Sequence, residues 1–273
     1  MGQDRRKKPD RREDAAQQSG AAIEAAMQRG EIEVLFQPVF AAASGELIGA
    51  EALARWQHPE HVVIGGAELF EMAERAGIVG PLSRHVAKTA LAAAACWDPE
   101  LRMSLNVTAA DLADPSFADS LAATIAEAGF ACERLTIEIT EQVLVANLEV
   151  SALQLQQLVE RGIRIALDDF GAGFCNFRYL QRLPLQSLKL DASLIEGIDT
   201  SSRDLAVLRG ILAMASALDL EVIAEGIERE EQLDAIAREG CMAWQGFLRA
   251  KPLTAAEFAE FARLQPFPAS PPS

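Results

Sequence analysis

This sequence is short of paired thiols, imidazoles, long apolar runs and positive charge, and each shortage excludes something. Its four cysteines (Cys96, Cys132, Cys175, Cys241) stand far apart in 273 residues and form no Cys-x-x-Cys pair. That points to reduced thiols in a cytoplasmic protein and away from a disulfide framework or a zinc site. The three histidines are His58, His61 and His85, and the nearest pair falls in a predicted loop. A histidine-bound zinc site is therefore not expected. No serine or cysteine has the histidine and acid of a nucleophilic triad around it. Cys175 lies near two aspartates in sequence, but no histidine is placed to activate it, so it reads as a passive thiol. No apolar run reaches the roughly 18–20 residues of a membrane span. The charged N-terminus has no apolar stretch behind it, so no secretory signal is expected. Basic residues number 25 against 40 acidic ones, a net charge of −15. Such a surface disfavours duplex DNA and anionic lipid. An anionic substrate would need local positive charge or metal ions.

What remains is an ordinary globular composition, 50% hydrophobic and 24% charged, long enough for one barrel-sized domain or two small ones. Residues 1–20, "MGQDRRKKPDRREDAAQQSG", are polar and mixed in charge and read as a disordered tail. Its basic cluster could touch a polyanion, but a solvated tail is the simpler account. Residues 266–273 read as a flexible C-terminus. No linker interrupts residues 21–265, which are expected to form one domain.

Within that domain, strand-like and helix-like runs alternate. Strands are predicted over 33–40, 46–56, 102–107, 134–140, 164–169, 187–191, 221–226 and 242–247. Helical runs between them repeat apolar residues at three- and four-residue spacing, and several end in glycine. Eight strands alternating with helices predict a (β/α)8, TIM-like barrel. Only "AAASG" separates the first two strands, which is too short for a parallel crossover. They should form a hairpin, leaving one barrel strand antiparallel to the rest.

The polar residues then fall into place. At or near the C-terminal ends of the strands stand Glu51, Asn106, Glu138, Asp168, Asp169, Lys189, Asp191, Glu225 and Gln245. Catalytic groups of such barrels come from those ends. Adjacent side chains on a strand point to opposite faces. Asp168 and Asp169 can thus converge only where the chain is turning, and Phe170-Gly171-Ala172-Gly173 supplies a turn. An oxygen-rich mouth of this kind suits Mg²⁺ or Mn²⁺. Two such ions can clamp a phosphodiester and activate water. Lys189 and Glu225 then fit as the cation for developing charge and the proton acceptor. Alone, Lys189 would read as a buried salt-bridge partner.

These residues resemble the EAL-domain phosphodiesterases, which hydrolyse the bacterial second messenger cyclic di-GMP to linear pGpG. "EALARW" (51–56), "LNVT" (105–108), "EITE" (138–141), "DDFGAG" (168–173), "LKLD" (188–191), "AEGIE" (224–228) and "QGF" (245–247) follow the family's order between about residues 33 and 262. The resemblance implies that Glu51, Asn106, Glu138 and Asp168 hold a first metal. Asp168 would bridge to a second, with Asp169 as a further ligand. Lys189 would orient water or stabilise phosphoryl charge, and Glu225 would act as general base or second-metal ligand. Arg55 would contact a substrate phosphate, Gln37 and Pro38 would line the groove, and Gln245 would shape the rim. Glu141 would anchor the loop after "DDFG", with Asp191 and Glu228 behind the ligands. A homodimer is also implied. The chain departs from the family at Ala172-Gly173-Phe174-Cys175-Asn176, where the family usually has a threonine, an aromatic and two serines. It departs again at Val62 and Gly66, where the family tends to have glycine and proline. The alternative reading is a catalytically silent cyclic di-GMP receptor that signals through a protein partner. A pure interaction module has no use for five acids crowded at a barrel mouth.

Overall fold

A computed structural model describes residues 11–60, 63–145, 148–173 and 177–265. In chain order these form α1 (Arg11–Arg29), β1 (Ile32–Ala41), β2 (Leu47–Trp56), β3 (Ile64–Gly65), α2 (Gly66–Ala76), α3 (Val79–Ala94) and β4 (Arg102–Asn106). Next come α4 (Ala109–Ala113), α5 (Phe117–Ala128), β5 (Leu135–Thr140), α6 (Glu141–Val145), α7 (Leu148–Val159), β6 (Arg164–Phe170) and α8 (Phe177–Arg182). The chain continues through β7 (Ser187–Leu190), α9 (Ala192–Ile195), α10 (Ser202–Ala217), β8 (Glu221–Ala224), α11 (Glu230–Glu239), β9 (Ala243–Gln245) and α12 (Ala255–Leu264). By their contacts the residues separate into two compact units, 1–33 with 54–86 and 34–53 with 87–273.

The larger unit holds the barrel. Its strands run in the order β1-β9-β8-β7-β6-β5-β4-β2, and a β1–β2 pairing closes the ring. From β2 through β4 to β9 every neighbouring pair is parallel, and β1 runs antiparallel to β9. The antiparallel strand follows from the short connection, which folds back with Ala41 N–H donating to Glu46 O at 2.9 Å and Gly45 left-handed at φ 71°. The eight expected strands are all present, within a few residues at their ends. β7 is buried along its whole length and β5 from Leu135 to Ile139, as expected of strands in a helix-covered parallel sheet. Alternation turns Glu138 to one face and Ile137 and Ile139, both fully buried, to the other. Outside the ring, α7 packs on β6 and α10 on β8. β2 and β4 approach so closely at Gly49 that a Cβ there would lie 2.3 Å from Arg102 O.

The smaller unit pairs α1 with α2. Gly20 permits the approach, since a Cβ at that position would meet the Ala76 Cβ at 3.2 Å. Ile23 and Ala26 on α1 are fully buried. α1 begins at Arg11, so residues 11–20 of the expected tail are helical, while residues 1–10 lie outside the described residues. The end of β2 pairs antiparallel with β3, a two-residue strand too short to leave a pattern in the sequence. The C-terminal segment 266–273, like Val62 and the stretch Phe174–Asn176, lies outside the described residues.

Candidate active site

Register brings the polar residues of separate strands to one level. Glu51 pairs with Ser104, Asn106 with Glu138, and Thr140 with Asp168, while Glu225 and Gln245 close or follow β8 and β9. At the centre is the Lys189 ammonium, 2% exposed and surrounded by four carboxylates. Its Nζ lies 2.6 Å from Glu138 Oε2, 2.8 Å from Glu225 Oε1, 3.0 Å from Asp168 Oδ1 and 3.1 Å from Glu51 Oε2. An ammonium has three donors, so it cannot serve four oxygens at once. Asp168 Oδ1 is the oxygen left buried without a hydrogen bond.

Two amides order the acids. Asn106 Nδ2 donates to Glu51 Oε1 at 2.7 Å. Gln245 Nε2 donates to Glu51 Oε2 and to Glu225 Oε1, both at 2.8 Å. Gln245 is therefore buried among the acids, deeper than the rim position expected for it. Four carboxylates against one ammonium leave three negative charges in a buried cluster. Such a charge is costly without cations or protons.

The carboxyl groups respond accordingly. Burial and the neighbouring Glu51 charge push the Glu138 carboxyl well above the ordinary range, and Lys189 only partly offsets them. Burial likewise raises Asp168 against the pull of Lys189. It pushes Glu225 up to about 8. At Glu51 burial is outweighed by Lys189, Gln245 and Asn106, which hold the carboxyl below its usual value. Lys189 is raised well above a free lysine, because the acids around it overcome its burial.

The adjacent aspartates converge through the backbone of Asp169 itself. Asp169 adopts φ 55°, a left-handed conformation that Asp tolerates better than most residues. The β6–β7 register shifts between Leu167 and Phe170. The turn expected at Phe170–Gly173 thus begins one residue earlier. Carboxylate oxygens of Asp168, Asp169 and Glu225 come within 4.8 Å of one another, and so do those of Glu51, Glu138 and Asp168. Asp168 belongs to both groups. An all-oxygen set with a shared carboxylate and an unsatisfied oxygen fits two hard divalent cations.

The remaining expected site residues are placed differently. Gln37 is buried and gives its amide to the loop after β9, at 2.9 Å to Ala250 O and 3.5 Å to Gly246 O. Pro38 is also buried in β1. Asp191 caps α9, accepting from Ser193 N at 3.0 Å. Glu141 is the first residue of α6. Glu228 is exposed, and its backbone N–H donates to Gln232 Oε1. In the smaller unit, Arg55 Nη1 donates to Ala54 O at 2.8 Å, and a Cβ on Gly66 would lie 3.1 Å from that same oxygen.

The family model of the EAL domain matches residues 21–252. The chain belongs to the EAL domain family. Among EAL relatives, the cyclic di-GMP phosphodiesterase NbdA of Pseudomonas aeruginosa is 36% identical over 256 residues, covering 90% of this chain and 32% of NbdA. The chain spans about a third of the length of the curated relatives it matches. The solved EAL structure of the PaMucR phosphodiesterase, a protein of the same organism in complex with cyclic di-GMP, is 31% identical with a TM-score of 0.82. That match covers 88% of this chain and 99% of the other. BlrP1 of Klebsiella pneumoniae, solved with calcium and cyclic di-GMP, is 25% identical with a TM-score of 0.73, over 82% of this chain and 56% of its own. Among the described residues, no helix of this EAL protein is long and apolar enough to cross a membrane.

Proposed function

We propose that this EAL domain is a divalent-cation-dependent phosphodiesterase that hydrolyses cyclic di-GMP to pGpG. The observation that carries the reading is the cluster at the barrel mouth, four carboxylates on one lysine with Asp168 shared between two acidic groups. Glu51, Asn106, Glu138 and Asp168 would hold one Mg²⁺ or Mn²⁺, and Asp168 and Asp169 a second. Such ions, when bound, supply Lewis-acid polarisation of the phosphoryl oxygens and a more acidic water.

The protein's own groups then have separate tasks. Glu225 takes the proton of the attacking water as its oxygen bonds to phosphorus in line with the 3′ oxygen. The bond to that 3′ oxygen breaks, and the oxygen leaves and picks up a proton from solvent. Lys189 offers a fixed positive charge against the charge that develops on the phosphoryl group. Gln245 holds Glu225 and Glu51 in place with one amide, and Asn106 aligns Glu51 from the other side. The named ligands of PaMucR and BlrP1 support the substrate class, and calcium in BlrP1 supports a divalent site. The family resemblance further supports residues 21–265 acting as one catalytic barrel and as a homodimer, and the scattered cysteines support the cytoplasm.

The test is direct. The purified chain is incubated with cyclic di-GMP and Mg²⁺ or Mn²⁺, with an EDTA control, and the nucleotides are separated by chromatography. Metal-dependent pGpG is the expected result. Nucleotide binding without product would refute the enzyme and leave a receptor.

A further inference from the structure

Gln232, on the first turn of α11, is 2% exposed. A buried amide is costly unless both its ends are bonded. Its Oε1 accepts from the backbone N–H groups of Glu228 and Arg229, both at 3.0 Å. Its Nε2 donates to Ile195 O, a longer bond of 3.4 Å. These partners belong to two different connections. Glu228 and Arg229 lie between β8 and α11, and Ile195 ends α9, which follows β7. β7 carries Lys189, and the β8–α11 connection opens with Glu225.

Helix capping accounts for only part of this. A glutamine at the third helical position commonly reaches back to the N-cap N–H, here that of Arg229. A cap needs neither the bond from Glu228 N–H nor the bond to Ile195 O. Arg229 reaches the same way, its Nη2 donating to Glu196 O and Asp199 Oδ1, both at 2.9 Å. The connection held in this manner is the one that aims Glu225. β8 ends at Ala224, so Glu225 stands just past the strand. Its N–H donates to Leu190 O at 3.1 Å, and Ile227 N–H donates to Gln245 O at 3.2 Å. Gly226 between them is left-handed at φ 70°, and a Cβ there would lie 2.5 Å from the Ala192 Cβ. Glu225 Oε1 lies 2.8 Å from both Lys189 Nζ and Gln245 Nε2. Both distances change if the connection slides along α9.

We propose that Gln232 is a positioning residue, a clamp that ties the β8–α11 connection to the end of α9 and so fixes Glu225 against Lys189 and Gln245. The clamp rests on the phosphodiesterase reading above, with Glu225 as proton acceptor. Its hydrogen bonds go to backbone, so it acts through residues 225–229. Misplacing a reacting group by about 1 Å costs on the order of 100-fold in rate. Partial release of the clamp should therefore lower kcat about tenfold or more and leave nucleotide binding unchanged.

The experiment compares wild type, Gln232→Glu and Gln232→Met as full chains, each also in a Glu225→Gln background. Cyclic di-GMP hydrolysis is measured with Mg²⁺, its binding by calorimetry with Ca²⁺, and folding by melting temperature. A glutamate serves at this helical position as a glutamine does. Ionised, it accepts from Glu228 and Arg229 N–H but has no hydrogen for Ile195 O. Gln232→Glu should thus keep the melting temperature, KM and Kd of wild type and lose kcat about tenfold or more. Gln232→Met, which removes both ends of the clamp, should lose kcat likewise and melt lower. In the Glu225→Gln background neither substitution should lower the residual rate further, because the group they position is gone. If wild type turns over cyclic di-GMP and Gln232→Glu keeps its kcat, Gln232 is only a cap: the clamp is wrong and the phosphodiesterase stands. Losses that multiply with Glu225→Gln report a general loosening and also overturn the clamp. If wild type shows no hydrolysis, both readings fall.

Discussion

Cation binding to this site should release protons, and the amount follows from the Glu225 carboxyl. Without a cation, burial holds that group at about 8. At pH 7 it is therefore about nine-tenths protonated, at pH 8 about half and at pH 9 about one-tenth. A divalent charge held by Asp168 and Asp169, beside Glu225, favours the ionised carboxylate, so the Glu225 proton leaves on cation binding. Glu225 alone should give about 0.9 proton per chain at pH 7, about 0.5 at pH 8 and about 0.1 at pH 9. Glu138 and Asp168, also raised, add to that floor. Mg²⁺ titrations by calorimetry in Pipes and in Tris separate proton release from binding heat. Heats that agree between the two buffers at pH 7 would refute the reasoning. The same shift has a stability consequence. The folded Glu225 value lies above its ordinary value of 4.5, so its contribution to folding is complete below about pH 4.5. It is lost as pH rises through about 8. Cation-free protein should thus lose melting temperature between about pH 5 and 8, and Mg²⁺ should restore it.

Three further outcomes are expected. Lys189→Met leaves four buried carboxylates without their counter-charge and should cost about 3–5 kcal/mol in cation-free denaturant unfolding at pH 8. A variant as stable as wild type would show that the acids do not depend on the lysine. Glu225→Gln keeps an amide where the carboxyl was and should retain cyclic di-GMP binding while losing turnover by about 100-fold or more; unchanged turnover would remove its role as proton acceptor. Gly49→Ala forces a Cβ to within 2.3 Å of Arg102 O and should destabilise the barrel by about 1–3 kcal/mol, with thermal melting as the check.

The sequence by itself determined the order of strands and helices, because a strand's period and a helix's period are local properties of the chain. It determined the hairpin and hence the antiparallel strand, since five residues cannot span a parallel crossover. The acids at the strand ends were legible for the same reason. Tertiary structure decided the rest. Residues 51, 138, 168, 189 and 225 meet only because strand register and ring closure set their levels, and neither is written in any local window. That is why Lys189, ambiguous as a lone residue, proves to be the centre of the cluster. Asp169 turns by its own left-handed backbone, a conformation that "DDFG" allows but does not require. Gln245 is drawn inward because two carboxylates, one on β2 and one just past β8, share its one amide group. The helical start at Arg11 depends on a partner: residues that are polar in isolation extend a helix whose Ile23 and Ala26 are buried and whose Gly20 lies against α2. Exposure is the last such property. Nothing in "QGFLRAK" distinguishes Phe247 from a core phenylalanine until the backbone beneath it is fixed.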